Sequence, residues 1–129
     1  MRLLVDTHVW LWLQIRPERV PSGVLDLLED GANEVLLSTA SVWEIAVKHR
    51  RGRLALPDPP STFVPERLST SGFRALSIDH AHALRAGSLP LHHHDPFDRM
   101  LVAQSQVLGV PLVTGDPALS DYDLEILWS

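Results

Sequence analysis

At 129 residues, with a formal charge of −5, 45% apolar residues and no cysteine, the chain has the make-up of one globular domain. The composition excludes a disulfide framework and thiolate chemistry, and no apolar run approaches the roughly 20 residues that span a bilayer. The negative charge argues against non-specific nucleic-acid binding, although a metal cluster would neutralise several of the acids counted. An acid at position 6 interrupts the region where a signal peptide would stay apolar, so a cytoplasmic protein is expected.

In chain order, residues 2–5 read as a short buried strand, followed by an apolar helix from Thr7 to Ile15 that Pro17 ends. A second helix is expected from Ser22 to Asp30, with Gly31 as its stop, and a second buried strand over Val35–Leu37. Thr39–Arg51 reads as a helix capped by Ser38 or Thr39 and stopped by Gly52, with Val42, Ile45 and Ala46 at helical steps. Leu54–Pro60 is a proline-rich loop, and Pro65 predicts a late start or a kink in a helix over 61–71. A third strand is expected over Phe73–Ile78, with Asp79 capping a helix through Ala86 and a loop over Leu89–His94. Asp95-Pro96 opens a long helix to Leu108 that stops at Gly109; Pro111–Thr114 is the fourth strand and Leu124–Leu127 a candidate edge strand. Strands alternating with helices predict one domain over 1–129, with a parallel sheet covered on both faces.

On this frame five carboxylates gather. Asp6 and Asp116 each close an apolar strand, and the carboxyl ends of parallel strands are where such sheets bind ligands. Glu44, Asp95 and Asp98 lie on or at the start of helices. Ionised carboxylates cannot crowd without a counter-charge, which a hard divalent cation, Mg²⁺ or Mn²⁺, supplies. Each acid also has a plainer reading: Asp6 as an N-cap, Glu44 as a solvated helix position, Asp116 as a turn residue. Asp95 suits an N-cap as well as it suits a metal, while Asp98 lies one turn in and is the better ligand candidate. The convergence of the acids carries the metal reading.

His92-His93-His94 invites a zinc hypothesis, but three adjacent histidines cannot all turn to one tetrahedral ion, so a loop beside the site is expected. His8 is expected near the mouth of the crevice. The run Lys48-His49-Arg50-Arg51-Gly52-Arg53 is either a solvated helix end that complements the dipole or a guide for a phosphate backbone. Arg99 either meets substrate phosphate or faces solvent.

Four segments, Leu-Leu-Val-Asp-Thr-His at 3–8, Ser-Val-Trp-Glu-Ile-Ala-Val-Lys at 41–48, His-Asp-Pro-Phe-Asp-Arg-Met-Leu-Val-Ala-Gln at 94–104 and Leu-Val-Thr-Gly-Asp at 112–116, resemble the PIN-domain ribonucleases. Among these the chain looks most like the VapC toxins of bacterial toxin–antitoxin pairs, in the subgroup whose helix opens with Asp-Pro-Phe-Asp-Arg. The resemblance implies a three-layer α/β/α fold with a mainly parallel sheet of four to five strands. It implies catalysis by Asp6, Glu44, Asp98 and Asp116, and metal ligation by the same four acids together with Asp95, an extra acid shared by the subgroup. Thr7, Ser38 and Thr114 would hold water or orient carboxylates, and Lys48, Arg50, Arg51, Arg53 and Arg99 are the candidate substrate contacts.

The implied activity is endoribonuclease cleavage with Mg²⁺ or Mn²⁺ on single-stranded or looped RNA, leaving 5′-phosphate and 3′-hydroxyl ends. A homodimer and a VapB-type antitoxin that wraps the toxin are the implied partners. Two rival readings are an aspartate-dependent phosphatase or phospho-acceptor domain and a non-enzymatic PIN interaction module. The first needs a lysine near the last strands, whereas Lys48, the single lysine, lies on the Glu44 helix. The second would be signalled by lost acids, and all are present.

Overall fold

The computed structural model describes residues 1–129. Five strands, β1 (Arg2–Val5), β2 (Glu34–Ser38), β3 (Arg74–Leu76), β4 (Leu112–Val113) and β5 (Ile126–Leu127), form one sheet in the order β3-β2-β1-β4-β5. Every pairing is parallel, with Leu3 opposite Val35, Val5 opposite Val113 and Leu112 opposite Ile126. The chain builds outward from β1 to β3 on one side, then returns to lay β4 and β5 on the other. That reversal leaves a crevice at the carboxyl ends of β1 and β4, where helices leave in opposite directions.

Strand alternation divides the core. Leu3, Val5, Val35, Leu37 and Val113 face one layer, where α1 (Thr7–Ile15), α2 (Ser22–Glu29), α3 (Thr39–Arg50) and α4 (Pro60–Ser71) supply Val9, Trp10, Val24, Ile45 and Phe63. Leu4, Leu36 and Leu112 face the other, against Leu101 and Val102 of α6 (Pro96–Leu108); α5 (His80–Ser88) packs on α6 and ends beside the buried Leu89. Both faces are covered, so the central strands are apolar throughout, as expected for a three-layer α/β/α fold.

The differences from expectation are local. α4 begins at Pro60, earlier than Pro65 suggested, because Pro60 occupies a first-turn position where its missing N–H costs nothing. Pro65 then forfeits one backbone bond inside the helix. α5 continues past Ala86 to Ser88, and β3 and β4 are shorter than their apolar runs. Two 3₁₀ turns, Pro17–Arg19 and Pro117–Asp121, were not expected; each opens on a proline. No helix is long and apolar enough to cross a membrane.

Candidate metal centre

Asp6 closes β1 and opens α1. Its N–H donates to Val113 O at 2.9 Å, and its carbonyl accepts from Trp10 N at 3.1 Å. Its side chain makes no cap hydrogen bond, so the N-cap reading does not explain the carboxylate. Instead it lies in the crevice, 4% exposed, with Oδ2 accepting from Thr114 Oγ1 at 2.7 Å. Oδ1 is buried and has no hydrogen-bond partner. Burial pushes the Asp6 pKa up and the Glu44 charge adds to the rise, while Thr114 and His8 oppose it.

Glu44 reaches the same region from the middle of α3. Ser38 caps that helix, accepting from Ala40 N at 3.0 Å, and the Thr7 hydroxyl donates to Ser41 Oγ at 2.8 Å, tying α1 to α3. Glu44 is only 1% exposed, which removes the solvated-position reading. Its Oε2 receives the ammonium of Lys48, one turn on, while Oε1 is buried without a partner. Burial acts to lower the Lys48 pKa, but the hydrogen bond and charge of Glu44, reinforced by Asp95 and Asp98, carry it above the ordinary lysine value. Lys48 is thus held as a cation among the acids.

Asp95 and Asp98 come from the start of α6. Asp95 Oδ1 accepts from the N–H groups of Phe97 at 2.8 Å and Asp98 at 3.1 Å, so Asp95 is a helix cap. Asp98 Oδ2 lies 2.8 Å from His93 Nε2. Burial, with the like charges of Asp6, Asp95 and Glu44, raises the Asp98 pKa to about 6 despite the His93 contact. Asp116 follows β4; its N–H donates to Thr114 Oγ1 at 3.1 Å, and its Oδ1 caps the 3₁₀ turn through Ala118 N at 3.0 Å. His93, Asp98 and Asp116 each offer one ligand atom, all within 4.8 Å of one another.

These residues fit a divalent cation. Two buried carboxylate oxygens lack partners, three neighbouring groups converge, and the donors are hard oxygens with one imidazole. Of the three expected supporting hydroxyls, Thr114 touches a carboxylate, whereas Thr7 bonds to Ser41 and Ser38 serves as a cap.

Two side chains fall differently from expectation. The Arg99 guanidinium donates to the carbonyls of Ala86, Leu89, Pro90 and His93 and to the Tyr122 hydroxyl, at 2.9–3.3 Å. Holding that loop takes the place of the expected phosphate contact, since successive helical residues point about 100° apart and Arg99 turns away from Asp98. His93 is the residue beside the acids that the sequence reading did not single out. The histidine run marked the loop but carried no signal for which ring turns inward. The backbone N–H of His93 donates to Tyr122 Oη at 3.0 Å, and that anchor fixes the choice. Lys48 and Arg53 border a pocket beside Glu44, and Arg50, Arg51 and Arg53 are all exposed.

A sequence model of the PIN domain matches residues 3–125. Over 56 residues the chain is 46% identical to Ribonuclease VapC16 of Mycobacterium tuberculosis, covering 43% of this chain and 40% of that protein. The aligned stretch therefore spans well under half of that relative. The fold is similar to VapBC2 from Rickettsia felis bound to a promoter DNA fragment, with a TM-score of 0.75 at 12% identity over 100% of both chains. It is also similar to DNA-bound VapBC from Salmonella typhimurium, with a TM-score of 0.74 at 13% identity over 98% of this chain and 97% of that one. FitAcB from Neisseria gonorrhoeae aligns with a TM-score of 0.66 at 24% identity over 97% of this chain and 96% of that one. At these identities the structural likeness bears on the fold.

Proposed function

The chain belongs to the PIN-domain family, and from that premise we propose that it is a metal-dependent endoribonuclease, the toxin of a type II toxin–antitoxin pair. The observation that carries the reading is the pair of buried, unpartnered oxygens, Asp6 Oδ1 and Glu44 Oε1, on acids whose charges act on Asp98, itself grouped with Asp116 and His93. Burying charge without a partner is costly, so a fold that keeps such oxygens is built to receive a cation.

Mg²⁺ or Mn²⁺ would be held by Asp6, Glu44, Asp98 and Asp116, with Asp95 and His93 beside them. When bound, the cation supplies activation of water and neutralisation of charge on the scissile phosphate. The protein's own part is orientation. Thr114 fixes one oxygen of Asp6 and leaves the other free. Lys48 offsets part of the Glu44 charge, which lets the carboxylates sit close before a cation arrives. The basic end of α3, with Lys48, Arg50, Arg51 and Arg53, would meet the RNA backbone, and unpaired RNA is the substrate class.

The same reading gives the chain a VapB-type antitoxin, a homodimeric state and a cytoplasmic location. It is supported by identity to a protein named as a VapC ribonuclease and by fold likeness to VapBC proteins. Exposed Trp43, Leu84 and Leu91 provide the apolar surface that protein partners require. The rival phosphatase reading gains no observation, because the single lysine is engaged with Glu44.

Mapping of transcript ends in cells, after a brief induction of the chain without its antitoxin, tests the proposal. New 5′-phosphate ends absent from an Asp98→Asn control are expected. A transcript pattern identical in the two strains would overturn it.

A further inference from the structure

Beside the acid crevice lies a pocket of about 200 Å³ whose lining includes His8, Glu44, Lys48 and Arg53, with Leu11 and Leu54 among its apolar members. Its composition is set by the way α3 ends. Gly52 takes a left-handed φ of +71°, its N–H donates to His49 O at 3.0 Å, and the Arg53 N–H donates to Lys48 O at 2.9 Å. This paired bonding turns the chain back on the last helical turn, which a residue with a Cβ would do only with strain. Arg53 is thereby brought to the turn that bears Lys48. His8 and Arg53 line the pocket from its exposed side; Arg50 and Arg51, equally exposed, do not line it.

Two cations and one carboxylate line the pocket, which leaves it an excess of positive charge. Lys48 offsets Glu44, and Arg53 adds a second cation with a fork of donors suited to phosphate oxygens. The His8 imidazole supplies a further hydrogen-bonding group. A chain of net charge −5 that acts on a polyanion needs such a local concentration of positive groups.

We propose that this pocket is a subsite for one non-scissile phosphate of the RNA backbone, with Arg53 and His8 as its contacts and Lys48 bridging that phosphate to Glu44. The identity of the ligand rests on the nuclease reading; the existence of an oxyanion site does not. Fixing a neighbouring phosphate would hold the strand in register across the acids, so that binding energy away from the reacting bond orients it.

Two measurements on the full chain test the inference. Lys48 is the single lysine, so its acetylation can be followed by mass spectrometry apart from the N-terminal amine. Inorganic phosphate is expected to slow acetylation of Lys48 severalfold in the parent and not in Arg53→Gln. Binding of short single-stranded RNA, read with Ca²⁺ in place of Mg²⁺ so that turnover does not interfere, gives the salt dependence. Arg53→Gln should reduce the slope of log affinity against log salt by about 0.7, the value for one phosphate contact on a single strand. His8→Asn should weaken binding with little change in that slope. An unchanged slope and affinity in both variants, with no protection by phosphate, overturns the subsite while RNA cleavage by the parent leaves the nuclease reading intact. Protection by phosphate in a parent that neither binds nor cleaves RNA overturns the RNA assignment and the nuclease reading together.

Discussion

The Thr114 hydroxyl donates to Asp6 Oδ2 at 2.7 Å, a buried bond between residues 108 positions apart. It joins the ends of β1 and β4 at the point where the sheet order reverses, and the same hydroxyl accepts from the Asp116 N–H at 3.1 Å. One side chain thus positions two acids. Thr114→Val keeps the shape and removes both bonds, leaving Asp6 Oδ2 without its donor. Stability should fall by about 1.5–3 kcal/mol, the range for a hydrogen bond to a charged group. Half-saturation by Mg²⁺ should move to higher concentration. Chemical denaturation and a metal titration of activity check both outcomes, and an unchanged metal requirement would remove Thr114 from the orienting role.

The sequence displays this relationship only in part. Asp6 and Thr114 are each legible as strand-end residues, but parallel pairing of β1 with β4 is a long-range event that local pattern does not encode. α6, by contrast, has the bounds expected, because both its ends are written in chemistry, with Asp95-Pro96 at the start and Gly109 in left-handed conformation at the stop. Glu44 was legible as a helical residue and not as a buried one. Of the expected apolar positions Val42, Ile45 and Ala46 only Ile45 is buried, and Ala46 is exposed; the buried face runs through Ala40, Ser41, Glu44 and Ile45, and nothing local says that a carboxylate shares it. The direction of Arg99 escaped for the converse reason. Its place after Asp98 suggested the site, whereas the carbonyls that claim it come from a loop whose path only the tertiary structure sets.

Asp98 is expected to make stability, and with it the proposed metal binding, depend on pH. Its pKa of about 6 in the fold lies above the ordinary value of 3.8, so the folded chain holds an extra proton between the two. Without metal, the contribution of this group to stability is full below about pH 3.8 and is lost as pH rises through about 6. Asp98→Asn should therefore make the metal-free chain more stable than the parent near neutrality, with the difference vanishing toward the lower pKa. Because a cation needs the ionised carboxylate, Mg²⁺ affinity of the parent should climb as pH rises through the same value. Denaturation curves and metal titrations across that range check the two trends; a parent with metal affinity flat through it would contradict the assignment.

Asp95 and Asp98 separate by role. Asp95 Oδ1 holds the Phe97 and Asp98 N–H groups, and serine caps about as well as aspartate. Asp95→Ser should retain most activity and change stability by less than about 1 kcal/mol. Asp98→Ser should lose activity severely. Equal loss in the two initial rates would make Asp95 a ligand as well as a cap.

Gly115 governs the loop that carries Asp116. A Cβ there would meet Trp128 Cε2 at 2.6 Å, and Trp128 packs in turn against Trp12 with ring centroids 6.0 Å apart. Gly115→Ala must displace the indole or the loop, at a cost of about 1–3 kcal/mol, and should lower activity through misplacement of Asp116. Tryptophan fluorescence and thermal melts read the first effect, and initial rates the second. A variant with parent-like stability and rate would show that the contact yields freely.

The central claim is that the crevice acids hold the cation that cleaves RNA. Its most direct test is the Mg²⁺-dependent cleavage rate of single-stranded RNA by the purified parent and by Asp6→Asn, which keeps side-chain volume while removing one ligand charge. The account predicts cleavage by the parent that chelation abolishes, and a rate for Asp6→Asn lower by roughly 100-fold or more, beyond what loss of an outer partner costs. Parent-like cleavage by a folded Asp6→Asn protein, or cleavage that survives chelation, would contradict it.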